Sequence, residues 1–182
     1  MPEVTFRVDG IYFHNYSYPP ASVYPSGSIS YEKILEIDPL ASEIRTRDKE
    51  ILFVAAKFRD DLQSVAAEHN IPVVRRIDVW DLILEPFLDT EFNDDHKAKT
   101  VRTLEECGLS RSEVEILRTS LHRCMYKYNI ESGLWDWSSL GLTDVLDMRL
   151  GILTGLSCRL SQDAYKEFYF QAMEIAFRGM PI

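Results

Sequence analysis

The chain has 182 residues, of which 46% are hydrophobic and 27% charged, so it is long enough and apolar enough to bury a core. Its formal net charge of −9 argues against direct binding to nucleic acid, which requires clustered Lys and Arg. No apolar run reaches the ~18–20 residues of a membrane span, and the first residues lack the basic and apolar regions of a secretion signal. We therefore expect neither a nucleic-acid nor a membrane partner.

The three cysteines, Cys107, Cys124 and Cys158, are far apart and odd in number. This pattern argues against a disulfide framework and favours a reducing compartment. Each thiol is interpreted as a small hydrophobic core group. We therefore predict a cytosolic location.

The N-terminal residues 4–14 have the pattern of a β-hairpin. Apolar and polar residues alternate before Asp9-Gly10, and a second apolar run follows it. Asp-Gly favours a two-residue type I′ turn, in which both central residues need positive φ. The predicted register places four apolar side chains on one face, pairing Val8 with Ile11 and Phe6 with Phe13.

Residues 17–28 are rich in Pro, Ser and Gly and are predicted to form a loop. Three tyrosines, Tyr16, Tyr18 and Tyr24, lie in or beside it. The interpretation that we favour is that these rings pack over an edge of the sheet. The alternative is a recognition loop, because tyrosine offers a large contact area at a low entropy cost.

The stretch 50–92 has the pattern of a βαβ unit. Two short apolar runs, 51–56 and 71–74, are predicted strands, and residues 57–70 between them have helical spacing. A second helical pattern over 77–88 contains Trp80. Parallel strands that are joined by a helix require a crossover, which is almost always right-handed.

The remainder of the chain is predicted to be helical. Within the helix predicted over 143–158, Gly151 and Gly155 would each cost up to ~1 kcal/mol relative to Ala. Four helices are expected: 95–107 capped by Asn93 or Asp94, 110–129 opened by a capping box from Ser110 to Glu113, 143–158 capped by Thr143, and one after Ser161.

These elements predict an α+β fold. Residues 1–92 would form a mixed β-sheet with one βαβ unit, and residues 93–182 a helical bundle packed on it. Because no linker separates the two parts, we expect one cooperative unit.

Carboxylates are concentrated over residues 81–95, a stretch that contains no Lys or Arg. We favour a solvated acidic face beside a helix N-terminus. The alternative is a divalent metal held by Asp89, Glu91, Asp95 and His96, since hard cations prefer oxygen ligands. Asp89-x-Glu91 lacks the Gly and the final Glu of a calcium loop.

No motif of a hydrolase, a zinc site or a P-loop is present, so we expect no catalytic residues and no cofactor. The first hypothesis is that the protein acts by protein–protein interaction or regulation without catalysis. The second is a metal-dependent hydrolase that uses the 81–95 carboxylates. The third is a small-molecule sensor with an aromatic pocket between sheet and helices, lined by Trp80, Trp135 and Trp137.

Overall fold

The computed structural model describes residues 2–88, 92–132 and 139–182. The chain divides into two compact units: a sheet unit that ends at Ile77 and also includes Pro181–Ile182, and a helical unit, Asp78–Met180. The boundary therefore lies before residue 92, and the helix that contains Trp80 belongs to the helical unit. Cooperative unfolding of the two units stays a prediction.

The α+β class is confirmed, but the strands do not form one mixed sheet. Two antiparallel three-stranded sheets are present, and in each the strands neighbour one another in chain order. In the second sheet, residues 43–45 pair with residues 51–53 as an antiparallel hairpin. The strands are β1 Glu3–Phe6, β2 Gly10–His14, β3 Gly27–Ser30, β4 Ile34–Asp38, β5 Glu43–Thr46 and β6 Ile51–Phe53.

The first hairpin forms, but its register differs from the prediction. Phe6 pairs with Ile11, and Arg7 N donates to Gly10 O at 2.8 Å, so the turn is centred on residues 8–9. The shift of two residues keeps the predicted apolar face, because side chains alternate with a period of two. Val8, which was predicted to face the core, is 95% exposed in the turn.

The requirement for Gly10 is a close backbone approach and not a positive φ. A Cβ atom at this position would lie 2.2 Å from the carbonyl oxygen of Ile29 on the neighbouring strand β3. Only glycine fits where two backbones come so close.

The βαβ prediction is correct for the helix and wrong for the second strand. Helix α1, Arg59–Glu68, follows β6 and packs against β4. The run 71–74 forms only an isolated parallel bridge, between Val73 and Ile37 of β4. Because β4 and β6 both run antiparallel to β5, the 71–74 run is parallel to β6 but separated from it by two strands.

Five helices form the helical unit, and within the described residues no helix is both long and apolar enough to cross a membrane. The helical pattern over 77–88 is interrupted at Pro86, as the proline leads one to expect: the α-helix ends at Leu84, and a 3₁₀ turn, Glu85–Phe87, follows it. The helices are α2 Val79–Leu84, α3 Asp94–Glu106, α4 Arg111–Ser132, α5 Leu142–Leu150 and α6 Gln162–Ala176.

The predicted caps of three helices are confirmed. The side chain of Asn93 accepts from His96 N at 2.8 Å at the start of α3. Ser110 and Glu113 form the capping box of α4, and Ser161 caps α6. Thr143 was predicted to cap α5, but it lies inside that helix, which begins one residue earlier because the carboxylate of Asp144 accepts from the N–H of Gly141.

Candidate functional site

Helix α5 ends at Leu150, eight residues earlier than predicted, and Gly151 follows it. Gly151 has φ +83° and forms a Schellman arrangement, in which its N–H donates to Met148 O at 3.1 Å and Ile152 N donates to Asp147 O at 3.0 Å. A Cβ atom at position 151 would lie 2.9 Å from the carbonyl oxygen of Gly155. The glycine therefore stops the helix and starts a tight loop over residues 151–158, which we call the apolar loop.

The apolar loop is held by polar contacts, of which the one made by Thr154 Oγ1 is buried. The side chain of Thr154 is fully buried, and its Oγ1 donates to Met148 O at 3.1 Å. Lys127 on α4 donates from Nζ to Thr154 O at 2.8 Å and to Ser157 Oγ at 3.0 Å. These bonds fix the loop both to the helix before it and to α4.

A disulfide between Cys124 and Cys158 joins α4 to the end of the apolar loop. Their Cα atoms are 5.6 Å apart, within the usual range for a disulfide. The interpretation of these two residues as separate core thiols is therefore wrong, because a separation of 34 residues in sequence does not report distance in space. Cys107 is a buried free thiol, as the sequence predicted.

Three aliphatic side chains of the apolar loop are exposed, although Thr154 beside them is fully buried. The exposed fractions are 42% for Ile152, 49% for Leu153 and 84% for Leu156. Leu153 also has φ +63°, a left-handed conformation that is uncommon for a residue other than glycine. Such backbone conformations persist only where the surroundings enforce them, and they cluster at functional sites.

The segments around the apolar loop are basic, in contrast to the acidic chain. Residues 118–130 and 148–162 contain no Asp or Glu. Arg149 is partly buried, donates to Ser120 O at 3.0 Å and lies over the ring of Phe168. The two segments carry five cationic side chains: Arg118, Arg123, Lys127, Arg149 and Arg159.

Acidic groups in the helical unit cap helices. Asp78 accepts from the N–H groups of Trp80 and Asp81 at the start of α2, at 2.9 and 3.2 Å. Asp144 accepts from Gly141 N at 2.7 Å at the start of α5. Negative groups at helix N-termini are stabilised by the helix dipole, so these carboxylates have a structural role.

Asp81 is a partly buried carboxyl group with a raised pKa. Burial, with the charges of Asp78 and Glu85, raises the pKa of Asp81 to about 6, and a backbone hydrogen bond from Leu140 opposes the rise. The group therefore changes charge near neutral pH.

The predicted tyrosine site divides into two parts. Tyr16 and Tyr18 are buried within a row of edge-on rings that starts at Phe13 and ends at Phe53, with centroids 5.5–5.9 Å apart. The hydroxyl of Tyr16 also accepts from Phe53 N at 3.1 Å. Both rings are thus buried between Phe13 of the first sheet and Phe53 of the second, whereas Tyr24 is exposed.

The predicted tryptophan pocket can be placed only in part. Trp80 is fully buried in α2, and its Nε1 donates to the carbonyl oxygen of Ala172 in α6 at 3.0 Å. Trp135 and Trp137 lie outside the described residues. Trp80 is thus a core residue of the helical unit.

Of the predicted metal ligands, Asp89 and Glu91 lie outside the described residues. Asp95 is exposed in the first turn of α3, and His96 Nε2 lies 2.9 Å from Glu85 Oε1. Among the described residues, no group of three His, Cys, Asp or Glu side chains could hold a metal ion. The metal site therefore stays a hypothesis.

Sequence reasoning missed the apolar loop entirely. Its most useful sequence feature was the pair Gly151 and Gly155 around Ile152-Leu153-Thr154, which was interpreted as a weak stretch of helix. A glycine that follows a helical pattern, as Gly151 does, also indicates the end of a helix. Lys127 had no distinguishing pattern, because its partners lie 27 and 30 residues away.

We compared the chain with protein-family models, with curated proteins and with solved structures, and none of the three comparisons found a match. The functional argument therefore depends on the geometry of the chain.

Proposed function

We propose that this protein acts by binding another protein through the apolar loop, without catalysis of its own. The observation that carries the proposal is the contrast between the fully buried side chain of Thr154, which anchors the loop together with the half-buried Lys127, and the exposed Ile152, Leu153 and Leu156. An apolar surface that is held in one conformation loses little entropy on binding, which favours affinity.

The charge around the loop indicates the chemistry of the partner. Arg123 and Arg159 are exposed at basic segments, so a complementary partner offers an apolar hollow with acidic residues at its rim. A membrane surface is a poorer match, because stable adsorption needs clusters of about four to eight cations at about 1 kcal/mol each. Of the five cations, the other three are partly buried.

The proposal includes no cellular location. The expectation of a cytosolic protein depended on three unpaired cysteines, and the Cys124–Cys158 disulfide removes that support.

Photo-crosslinking tests the proposal. Leu156 is replaced by p-benzoylphenylalanine, and Ile116, an exposed residue near the start of α4, receives the same replacement as a matched control. Adducts formed in extract from the producing cells are identified by mass spectrometry, and each candidate partner is then purified. Its affinity is measured for the parent protein, Leu156→Ser and Ile116→Ser.

The proposal expects an acidic partner that crosslinks at position 156 and not at 116. Leu156→Ser should weaken its binding about tenfold, because burial of a leucine contributes about 1.5–3 kcal/mol. Ile116→Ser should bind as the parent does. The proposal is contradicted if no partner depends on Leu156, if the adduct is a second copy of this chain, or if only anionic lipid vesicles bind.

A further inference from the structure

Three adjoining cavities in the helical unit share one side chain, Arg118 of α4. Their volumes are about 200, 580 and 600 Å³, and the larger two fall within the range of small-molecule sites. We call the 580 Å³ cavity, between the 3₁₀ turn after α2 and helices α3 and α4, the Arg118 cleft.

The guanidinium of Arg118 is positioned by the end of α2. Its Nε donates to Ile83 O at 2.9 Å and its Nη2 to Leu82 O at 3.1 Å, so it satisfies carbonyl groups that a helix end leaves without partners. Within the described residues its Nη1 group makes no hydrogen bond. Of the five N–H donors of the guanidinium, three therefore remain for a ligand, two on Nη1 and one on Nη2.

Charge distinguishes the Arg118 cleft from the other two cavities. The 200 Å³ cavity contains two Arg and two Glu residues, and in the 600 Å³ cavity Arg118 is balanced by Glu115. Among the residues that the structure describes, the Arg118 cleft is instead lined by Arg118 and Lys97 with one carboxylate, that of Glu85. An anion is favoured in this cavity alone of the three.

The carboxylate of Glu85 in the cleft already has a polar partner at each oxygen. Glu85 Oε1 lies 2.9 Å from His96 Nε2, and its Oε2 accepts from Thr100 Oγ1 at 2.8 Å. Lys97 Nζ is 3.9 Å from Asp94 Oδ1, a distance that indicates a weak and exposed ion pair. Within the cleft, the carboxylate of Glu85 is therefore better provided with partners than the cationic groups of Arg118 and Lys97 are with negative charge.

The remaining walls are apolar. Pro86, Phe92 and Val101 line the cleft, and the ring of Phe92 is already stacked on His96, with centroids 4.4 Å apart. The N-terminus of α3 is closed to an anion, because Asn93 caps it and Asp94 and Asp95 occupy its first turn. A compact dianion such as phosphate therefore finds few donors, whereas a planar monoanion matches both the cations and the walls.

We propose that the Arg118 cleft binds a small aromatic carboxylate, with the carboxylate against Arg118 and Lys97 and the ring against Pro86, Phe92 and Val101. This site is separate from the apolar loop. Like the third hypothesis from the sequence, it would bind a small molecule, but no tryptophan is among the described residues that line it. A guanidinium and a carboxylate match in geometry through paired hydrogen bonds, which gives the site its selectivity for the carboxylate.

The test is a titration of the isotopically labelled protein, followed by amide NMR signals, with benzoate as the probe and with benzamide and inorganic phosphate as comparisons. Lys97→Gln removes one cation of the cleft. Lys99→Gln is the matched control, because Lys99 is exposed on the same helix and does not line the cleft. Arg118→Lys keeps the charge and removes the fork-shaped donor.

We expect benzoate to give saturable shifts at Thr100 and Val101, with binding weakened about tenfold by Arg118→Lys and about fivefold by Lys97→Gln. Lys99→Gln should bind as the parent does. If Arg118→Lys is unfolded, Lys97→Gln alone decides the question. The proposal is overturned if benzoate gives no saturable shift, if benzamide or phosphate binds as tightly as benzoate, or if Lys97→Gln and Lys99→Gln bind equally.

Discussion

The Nζ of Lys127 donates a 2.8 Å hydrogen bond to the carbonyl oxygen of Thr154, and this contact joins α4 to the apolar loop. The side chain of Thr154 is fully buried, so the contact lies at the base of the loop and the exposed aliphatic residues lie beyond it. A charged donor on a buried carbonyl stabilises more than a neutral one. Three residues of the loop, Gly151, Leu153 and Gly155, have positive φ. The bond from Lys127 explains how a loop with this backbone can present apolar side chains in one conformation.

We predict that Lys127→Met loosens the apolar loop without unfolding the helical unit. The methionine keeps the aliphatic stem, and the lost hydrogen bonds should cost about 1–3 kcal/mol. Hydrogen exchange of the amides of residues 152–158 should accelerate, whereas that of α6 should not. Lys166→Met, an exposed substitution on α6, is the control, and equal exchange in the two variants would contradict the prediction.

We predict that the disulfide contributes to stability. For a closed loop of 34 residues, the chain-entropy model gives about 3–4 kcal/mol, which reductant or the double change Cys124→Ala with Cys158→Ala should remove. Thermal melts measure the loss, and Cys107→Ala is the control. Thiol titration of the unfolded, unreduced protein should find only Cys107; three reactive thiols would refute the pairing.

Trp80→Ala should destabilise the helical unit by about 3–5 kcal/mol, because it empties a fully buried site and leaves the Ala172 carbonyl without its donor. Trp80→Phe should cost less. If the chain is one cooperative unit, calorimetry will show a single transition that moves as a whole. Two transitions, of which only one moves, would show that the sheet unit unfolds independently.

The titration of Asp81 predicts a pH dependence of stability. Because its folded pKa is about 6, above the value of 3.8 for the unfolded chain, the folded state binds the proton more tightly. The free energy of unfolding should therefore fall as pH rises from about 4 to 6 and be level above that range. Asp144, whose pKa is also raised by burial, acts in the same direction.

Denaturant unfolding between pH 4 and 7 measures this slope. Asp81→Asn imitates the protonated group, so it should reduce the slope and stabilise the protein at pH 7. Asp95→Asn, an exposed change at the start of α3, should leave the slope unchanged. An unaltered slope in Asp81→Asn would assign the pH dependence to other groups.

Gly10→Val should destabilise the sheet unit by at least about 1–3 kcal/mol, because the added side chain would meet the Ile29 carbonyl and force the strands apart. The same change at Ser28, an exposed position of β3, should be tolerated. Thermal melts compare the two variants. A parent-like melt for Gly10→Val would show that the strands approach less closely.

Local patterns in the sequence were sufficient for the α+β class, for the caps of α3, α4 and α6, and for the apolar face of the first hairpin. Each depends on neighbours within a few residues: a side chain reaches the N–H group three residues ahead, and side chains in a strand alternate. The same local rules failed for Thr143, where the neighbouring Asp144 caps the helix instead, and for the hairpin turn, where the register differs by two residues from the prediction.

Only the tertiary structure decided which distant groups meet. The pairing of Cys124 with Cys158, the bond from Lys127 to Thr154 and the position of Arg118 at the end of α2 all join residues that are separated by 27 to 36 positions. No periodicity encodes such distances, because they depend on how helices pack. For the same physical reason the candidate site could not be predicted from the sequence, although the helices that carry it could.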